Sequence, residues 1–417
     1  MSDNGRKRER LERLLDLAQV YRGWNRKELA AALGRDPTKL VPGSGNPKLD
    51  LVMHLAEALD WSIGDVSECL LKTDALEERV GRMERQTGES FDDLDALALD
   101  AHEQGRYRDM IKIADSAYDV ADSPTERALA CIRSFGGWDG LGRYGKSLEA
   151  AQRGLMECPI DDEIRRALQS NLANAYYTLW HLVEARATSL ELIENYSSTP
   201  PKTVWDRCSQ AFAHYVLGNT YRRLIGTEPT HAASHADSAI KLLTSCRTLS
   251  SELASEAPYW EAVARTAEGG ILESRVVTGE HDARSALADI TDALGDVVDL
   301  DAFDGGDAIE SHGWWCIYGC NIAIRHISDE RDLQRYMALF TNKADEIANK
   351  LDNWSMRERV FSMQYHGHRR FVGWTGQEIP MTIDSEDIKM ITGTMGRFPR
   401  FRRTGWNILQ SANVVQA

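Results

Sequence analysis

Apolar residues recur at helical spacing in the first stretch of the chain. Between residues 6 and 21 they are separated by three or four positions, which places them on one face of an α-helix. This pattern predicts an amphipathic helix whose core face is formed by Leu11, Leu14, Leu15 and Ala18.

A second helix is predicted over residues 26–33. Asn25 stands at its N-cap position and Glu28 follows three residues later, the arrangement of a capping box, in which the two side chains satisfy free backbone N–H groups. Leu29, Ala30 and Leu33 form its apolar stripe. Gly34 then supplies a residue that adopts the left-handed conformation at which helices commonly end.

Three further helices complete a predicted N-terminal domain over residues 1–72. Asp36 followed by Pro37 predicts a third, short helix that ends by Val41, because proline at the first helical position loses no hydrogen bond. Apolar periodicity predicts the fourth and fifth helices over residues 49–59 and 63–71. Residues 73–90 are charged and helix-prone, which indicates a linker or connecting helix.

From residue 91 to residue 417 the pattern becomes self-similar, with a period of about 35 to 40 residues. Gly105-Arg106-Tyr107 reappears 37 residues later as Gly142-Arg143-Tyr144, and small or apolar residues follow each triplet at helical spacing. Degenerate copies continue to a terminal cap over residues 388–406. Because a helical hairpin buries only one face and needs a neighbour for the other, we predict an all-α superhelix of stacked hairpins.

Composition and charge narrow the class of protein. The net charge is −15, but residues 1–75 hold 12 basic and 12 acidic side chains, so the whole deficit belongs to the remainder. Basic residues concentrate between positions 6 and 27, where they either face phosphates or form ion pairs along a solvated helix. The sequence has no apolar run of membrane-spanning length and no signal peptide. Its seven cysteines are not spaced like those of a disulfide-bonded framework. We therefore expect a cytoplasmic protein.

Catalytic motifs are scarce. The sequence contains no phosphate loop, dinucleotide fingerprint or nucleophile elbow, and Gly136-Gly137 is interpreted as a loop. His312, Cys316 and Cys320 share one helical face and suggest a metal site, but interleaved small and aromatic residues favour a packing face. We expect no enzymatic activity, no cofactor and no metal.

Carboxamides, aromatics and arginines recur at the first helices of the predicted hairpins. An asparagine amide both donates to and accepts from an extended peptide backbone, and arginine binds a carboxylate, so these side chains suggest a peptide-binding groove. The alternative is that they are the polar faces of half-exposed helices. The candidate residues are Asn171, Asn174, Tyr177, Asn219, Arg222, Asn321, Arg325 and Arg369.

Residues 395–406 interleave four arginines with three aromatic residues. Stacking and positive charge suit a nucleic acid or an acidic partner. A clasp on a neighbouring hairpin or on the other subunit is at least as good an interpretation.

The N-terminal domain resembles the Cro/phage-repressor (XRE) helix-turn-helix family. The resemblance covers about the first 75 residues. The matching positions are Leu29-Ala30, Leu33-Gly34, Pro47, Leu49, Leu55-Ala56, Ala58-Leu59 and Ile63, although the segment between Gly34 and Pro47 is shorter than the family pattern. By this resemblance the DNA-binding residues are Arg26, Lys27, Arg35, Thr38, Lys39, Ser44, Asn46 and Lys48.

The hairpins resemble tetratricopeptide repeats, in which Gly-x-Tyr marks the turn within a hairpin. The combination of such a body with an XRE head is similar to the peptide-responsive quorum-sensing (RRNPP-type) regulators of Gram-positive bacteria and their phages. That resemblance implies a homodimeric transcription factor whose DNA binding is controlled by a peptide or protein ligand. The competing hypothesis is an adaptor whose head does not bind DNA and whose repeats bind protein.

Overall fold

The computed structural model of the chain describes residues 3–42, 47–59, 63–71, 90–257, 259–295, 300, 306–376 and 380–415. Most of these residues are helical, and the described strands are one parallel pair of two-residue segments. The predicted all-α class is therefore confirmed. The chain divides into two compact units, Met1–Gly88 and Glu89–Ala417, which we describe separately. None of the helices within the described ranges is both long and apolar enough to cross a bilayer.

The first unit is a small helical domain with a leucine-rich core. Asn25 Oδ1 accepts hydrogen bonds from the backbone N–H groups of Lys27 and Glu28 at 2.9 and 3.1 Å, and Glu28 Oε2 accepts from the Asn25 N–H at 2.8 Å, so the predicted capping box is formed. The core includes Leu11 and Leu55, which are fully buried. The described helices of this unit are α1 (Asp3–Arg22), α2 (Arg26–Ala32), α3 (Leu49–Leu59) and α4 (Ile63–Leu71).

The predicted third helix of this unit is wrong. Described residues 33–42 form turns and bends, so the unit has four described helices instead of five. Asp36 Oδ1 accepts from the Thr38 N–H at 2.8 Å and from the Thr38 hydroxyl at 2.5 Å. An aspartate that bonds the backbone two residues ahead stabilises a turn in competition with a helix. Here the Asp-Pro pair opens a turn.

The second unit is a succession of helical hairpins. Each helix packs on the next, and the first helix of one hairpin also packs on the first helix of the following hairpin. The first helices are α5 (Phe91–Glu103), α7 (Pro124–Gly140), α9 (Asp162–Thr178), α11 (Val204–Thr227), α13 (Tyr259–Thr278), α15 (Gly306–His326) and α17 (Trp354–Thr375). The second helices are α6 (Tyr107–Val120), α8 (Tyr144–Met156), α10 (Leu182–Ser198), α12 (Ala232–Leu253), α14 (Ala283–Ala293) and α16 (Glu330–Lys350).

Glycines have two different roles in the early hairpins. Gly105 and Gly142 adopt left-handed φ angles of +66° and +64° at the turns, and Tyr107 and Tyr144 begin the helices that follow. By contrast, Gly136 and Gly137 lie inside α7, so the loop predicted there is wrong. A Cβ added to Gly137 would lie 2.6 Å from the side chain of Ile111, which shows how closely α6 and α7 approach.

The C-terminal segment packs back onto the second hairpin. It comprises α18 (Ser385–Arg397), a short 3-10 turn (Pro399–Phe401) and α19 (Arg402–Ser411), flanked by the paired strands β1 (Thr382–Ile383) and β2 (Asn413–Val414). The Phe398 ring of this segment lies 5.1 Å from the Tyr144 ring of α8. Trp354, the first residue of α17, also contacts the second hairpin: a Cβ added to Gly142 would lie 2.7 Å from its indole. The hairpins from the second to the last therefore surround a common interior.

Candidate functional site

Of the residues predicted to contact DNA, Arg26 and Lys27 begin α2, whereas Arg35, Thr38 and Lys39 lie in the non-helical residues 33–42. Arg35 forms a 2.6 Å ion pair with Asp50, and Arg26 Nε donates to the Pro37 carbonyl at 3.2 Å. Thr38 bonds Asp36, as described above. The predicted short helix that would have carried Thr38 and Lys39 is therefore wrong.

Three of the predicted DNA-binding lysines remain on the surface of the first unit. Lys27, Lys39 and Lys48 are exposed. Ser44 and Asn46, which were predicted to contact phosphates, lie outside the described residues. The described part of this unit thus presents charge suited to phosphates, without a helix aimed at base edges.

The second unit contains a central cavity of about 310 Å³ among the first helices of its hairpins. Such a volume lies at the lower end of the range for small-ligand sites. Two carboxylates and several polar groups interrupt a wall that is otherwise mainly aromatic. The aromatic residues of the wall include Tyr177, Phe212, Tyr215, Tyr259, Trp314 and Tyr318.

The two carboxylates of the central cavity differ in their bonding. Glu310 Oε1 accepts from Trp314 Nε1 at 3.0 Å and from Asn353 Nδ2 at 2.9 Å. Asp139 Oδ1 is shielded from solvent and has no hydrogen-bond partner among the described residues. Burial, reinforced by the negative charge of Glu310, raises the pKa of Asp139 to about 7. A cationic group placed in this cavity would supply the partner that Asp139 lacks.

An adjoining cavity of about 650 Å³ extends the interior toward the earlier hairpins. It shares Asp139, Asn174 and Glu310 with the central cavity and adds Asn171. Neither the Asn171 nor the Asn174 carboxamide bonds another side chain or backbone group within the described part of the chain. Of the predicted groove residues, Asn171, Asn174 and Tyr177 therefore line this connected interior.

Three other predicted groove residues bind one buried acid, Glu273, and a fourth, Asn219, binds one of those three. Glu273 is fully buried and binds Arg222 Nη1 at 2.7 Å, Arg325 Nη1 at 2.8 Å and Asn321 Nδ2 at 3.2 Å. Asn219 Oδ1 accepts from Arg222 Nε at 3.0 Å, and its amide donates to the Tyr215 carbonyl. We call these five side chains the Glu273 network. Its asparagines use their hydrogen-bonding groups within the protein.

The remaining predicted positions lie elsewhere. Arg369 is exposed on α17 and is not among the residues that line either interior cavity. In the C-terminal segment, Arg397 stacks at 3.5 Å on the Trp354 ring, and Arg402 Nε donates to the Met395 carbonyl at 3.1 Å. These contacts are those of an intramolecular clasp.

The predicted packing face at Cys316 and Cys320 is buried. Burial raises the pKa of the Cys316 thiol to about 12 and that of Cys320 well above its usual value, so both are protonated near neutral pH. His312 Nδ1 lies 2.7 Å from the Ala308 carbonyl. Within the described ranges, histidine, cysteine and carboxylate side chains form no group of three that could hold a metal ion.

Sequence reasoning missed the acids that define this interior. Asp139, Glu273 and Glu310 are single carboxylates on three different helices, and no local motif distinguishes them from solvated charges. The available signal was weak: Glu273 stands in the predominantly small and apolar run 262–277, where a charge requires a buried partner.

No protein-family model matches the chain, and a search of curated proteins found no significant match.

Proposed function

We propose that this protein is a DNA-binding transcriptional regulator whose tetratricopeptide-like hairpin body binds a linear peptide. The observation that carries the proposal is the interior of the body, where Asp139 Oδ1 and the Asn171 and Asn174 carboxamides have no hydrogen-bond partner among the described residues. These are groups that a peptide satisfies. Its amides pair with carboxamides, and its ammonium group pairs with a carboxylate.

The aromatic wall and its carboxylates support a peptide over an anion. Tyr177, Phe212 and Tyr318 offer ring faces for apolar side chains and for a cation. The carboxylates of Asp139 and Glu310 repel anions from the same space. We therefore assign the amino terminus of the peptide to the Asp139 end.

Affinity selection tests the peptide assignment. The full chain is incubated with a synthetic library of linear hexapeptides that have free amino termini, and retained peptides are identified by mass spectrometry. We expect retention from this library and much weaker retention from the same library after acetylation, because acetylation removes the ammonium group. Equal retention of the two libraries, or none from either, would contradict the assignment.

DNA binding is assigned to the first unit, which resembles an XRE head. Exposed Lys27, Lys39 and Lys48 supply phosphate contacts. The body has an acidic excess, with 52 acidic against 37 basic residues beyond residue 75, and is a poor phosphate-binding surface. In this proposal the protein acts as a homodimer, and the bound peptide changes the spacing of its two heads.

Fluorescence anisotropy with labelled genomic fragments tests the DNA assignment. Binding is expected to weaken as salt rises from about 50 to 200 mM, and to weaken further when Lys39→Gln and Lys48→Gln are combined. The matched control combines Lys202→Gln with Lys241→Gln, two exposed lysines of the second unit. Absence of binding at the lowest salt would exclude the regulator.

A second candidate function is that of an adaptor that binds peptides or proteins but not DNA. The absence of a helix from described residues 33–42 favours it, as does the ion pair that holds Arg35 against Asp50. Retention of peptides together with the absence of DNA binding would select this function.

A further inference from the structure

A second cavity of the body, distinct from the acidic interior, is dominated by arginine. It has a volume of about 440 Å³ and is bordered by α11, α15, α17 and the Pro399–Phe401 turn. The lining contains five guanidinium groups, those of Arg222, Arg223, Arg325, Arg359 and Arg400. In a chain with a net charge of −15, this is a strong local reversal of sign.

Three of these arginines gather around one indole. The guanidinium carbons of Arg223, Arg359 and Arg400 lie 4.3, 5.0 and 5.0 Å from the centroid of the Trp180 ring. Trp180 occupies the turn between α9 and α10 with a φ of +65°, a conformation that costs energy for a residue other than glycine. Cation–π attraction holds the three guanidiniums near one another despite their like charge.

The arginines outnumber the carboxylates available to them. Arg222 and Arg325 share Glu273, as described above. Arg223 donates to the Tyr177 carbonyl and is 7% exposed, and burial lowers its pKa to about 10. Arg359 lies 3.9 Å from the Glu358 carboxylate and donates to the Met363 sulfur at 3.9 Å, while Arg400 has no hydrogen bond or ion pair with any described residue.

This imbalance identifies the kind of ligand that fits. The guanidiniums of Arg223 and Arg359 are largely desolvated, which is costly without a close counter-charge, and an anion bound between them and the exposed Arg400 removes that cost. A phosphate monoester carries a charge of about −1.5 to −2 near pH 7 and presents three acceptor oxygens, whereas a carboxylate carries one charge and two oxygens. Three guanidiniums from three parts of the fold match the phosphoryl group better.

We propose that the cavity lined by Arg223, Arg359 and Arg400 binds a dianionic phosphoryl group. The site is separate from the peptide-binding interior and does not depend on the proposed function. A bound phosphoryl group would bridge the C-terminal turn to α11 and α17. Free phosphate and a small phosphate ester share this chemistry, and the experiment distinguishes them.

Isothermal titration calorimetry on the full chain tests the proposal, with inorganic phosphate and adenosine monophosphate as probes and sodium acetate at matched ionic strength as the reference. We expect phosphate or its ester to bind at one site per chain and acetate to bind far more weakly. Tighter binding of the ester identifies an ester site, and equal or tighter binding of inorganic phosphate identifies a phosphate site. Failure of both probes to bind, or equal binding of acetate, would overturn the proposal.

The matched variants are Arg400→Gln and Arg403→Gln. Both residues are exposed and belong to the same C-terminal segment, so neither change removes buried packing, and Arg403 is not part of the cavity lining. We expect Arg400→Gln to weaken phosphate binding at least about tenfold and Arg403→Gln to leave it unchanged. Equal weakening by the two variants would show a non-specific charge effect and would contradict the site.

Discussion

Two pairs of asparagines on the first helices of the hairpins differ in their hydrogen bonding. Asn171 and Asn174 line the interior cavities and make no side-chain hydrogen bond with the described residues. Asn219 and Asn321 are buried and bonded within the Glu273 network. All four residues are asparagines on the first helices of hairpins, so the difference in their hydrogen bonding comes from the side chains around them. Asn321 bonds the buried Glu273 carboxylate and Asn219 bonds Arg222, which that carboxylate pairs with, whereas Asn171 and Asn174 line open cavities.

This contrast separates a structural role from a binding role. Within the Glu273 network every buried charge has a partner at hydrogen-bond distance, which is how a buried ion cluster is tolerated. The interior near Asp139 has the opposite character, with a shielded acceptor that no described donor reaches. A site that binds a ligand leaves such groups for that ligand.

The largest expected effect follows from removing the charge of Glu273. Glu273→Gln keeps the shape but leaves Arg222 buried without its counter-ion, and we expect the free energy of unfolding to fall by about 3 to 5 kcal/mol. Urea denaturation followed by circular dichroism measures it. Glu261→Gln, an exposed position on the same helix, serves as the control. A loss similar to that of the control would show that the network contributes little.

A smaller, pH-dependent effect is expected at Asp139. Its folded-state pKa of about 7 is raised above the unfolded value, so the folded state binds the proton more tightly. The free energy of unfolding should therefore fall by about 2.5 kcal/mol between pH 5 and pH 8, and Asp139→Asn should remove most of that fall.

Thermal unfolding of the wild type and of Asp139→Asn between pH 5 and pH 8 measures how the stability of each depends on pH. Asp119→Asn, at an exposed position, should retain the wild-type slope. An unchanged slope in Asp139→Asn would mean that Asp139 is already satisfied, and the contrast between the two regions would be lost.

The smallest effect is expected in the first unit. The Arg35–Asp50 pair is partly exposed, so Arg35→Ala should lower the free energy of unfolding by no more than about 1 kcal/mol, and less at high salt. Denaturation at low and high ionic strength provides the measurement. A loss several times larger, insensitive to salt, would show that the turn between α2 and α3 depends on this pair.

The sequence predicted the helices well and the contacts between them poorly. Capping and apolar spacing located α2 because Asn25, Glu28 and Leu29 act within one helical turn. The same local reasoning failed at Asp36, where a side-chain bond to Thr38 competes with the helix.

The interior was predicted only in part for a physical reason. Asn171, Asn174 and Tyr177 belong to one helix and were identified together. The carboxylate partner of Arg222 and Asn321, Glu273, is 51 and 48 positions away from them along the chain, and pairing over that distance has no local signature in a single sequence. The carboxylates therefore had to be located in the structure.

The central claim is that the unengaged carboxamides, and not those of the Glu273 network, bind the peptide. The direct test is the dissociation constant of a library-selected peptide, measured by calorimetry, for the wild type and for Asn171→Ala combined with Asn174→Ala. We predict that the double variant weakens binding at least about tenfold while its free energy of unfolding changes by less than about 1 kcal/mol. Unchanged affinity in a folded double variant would contradict the claim.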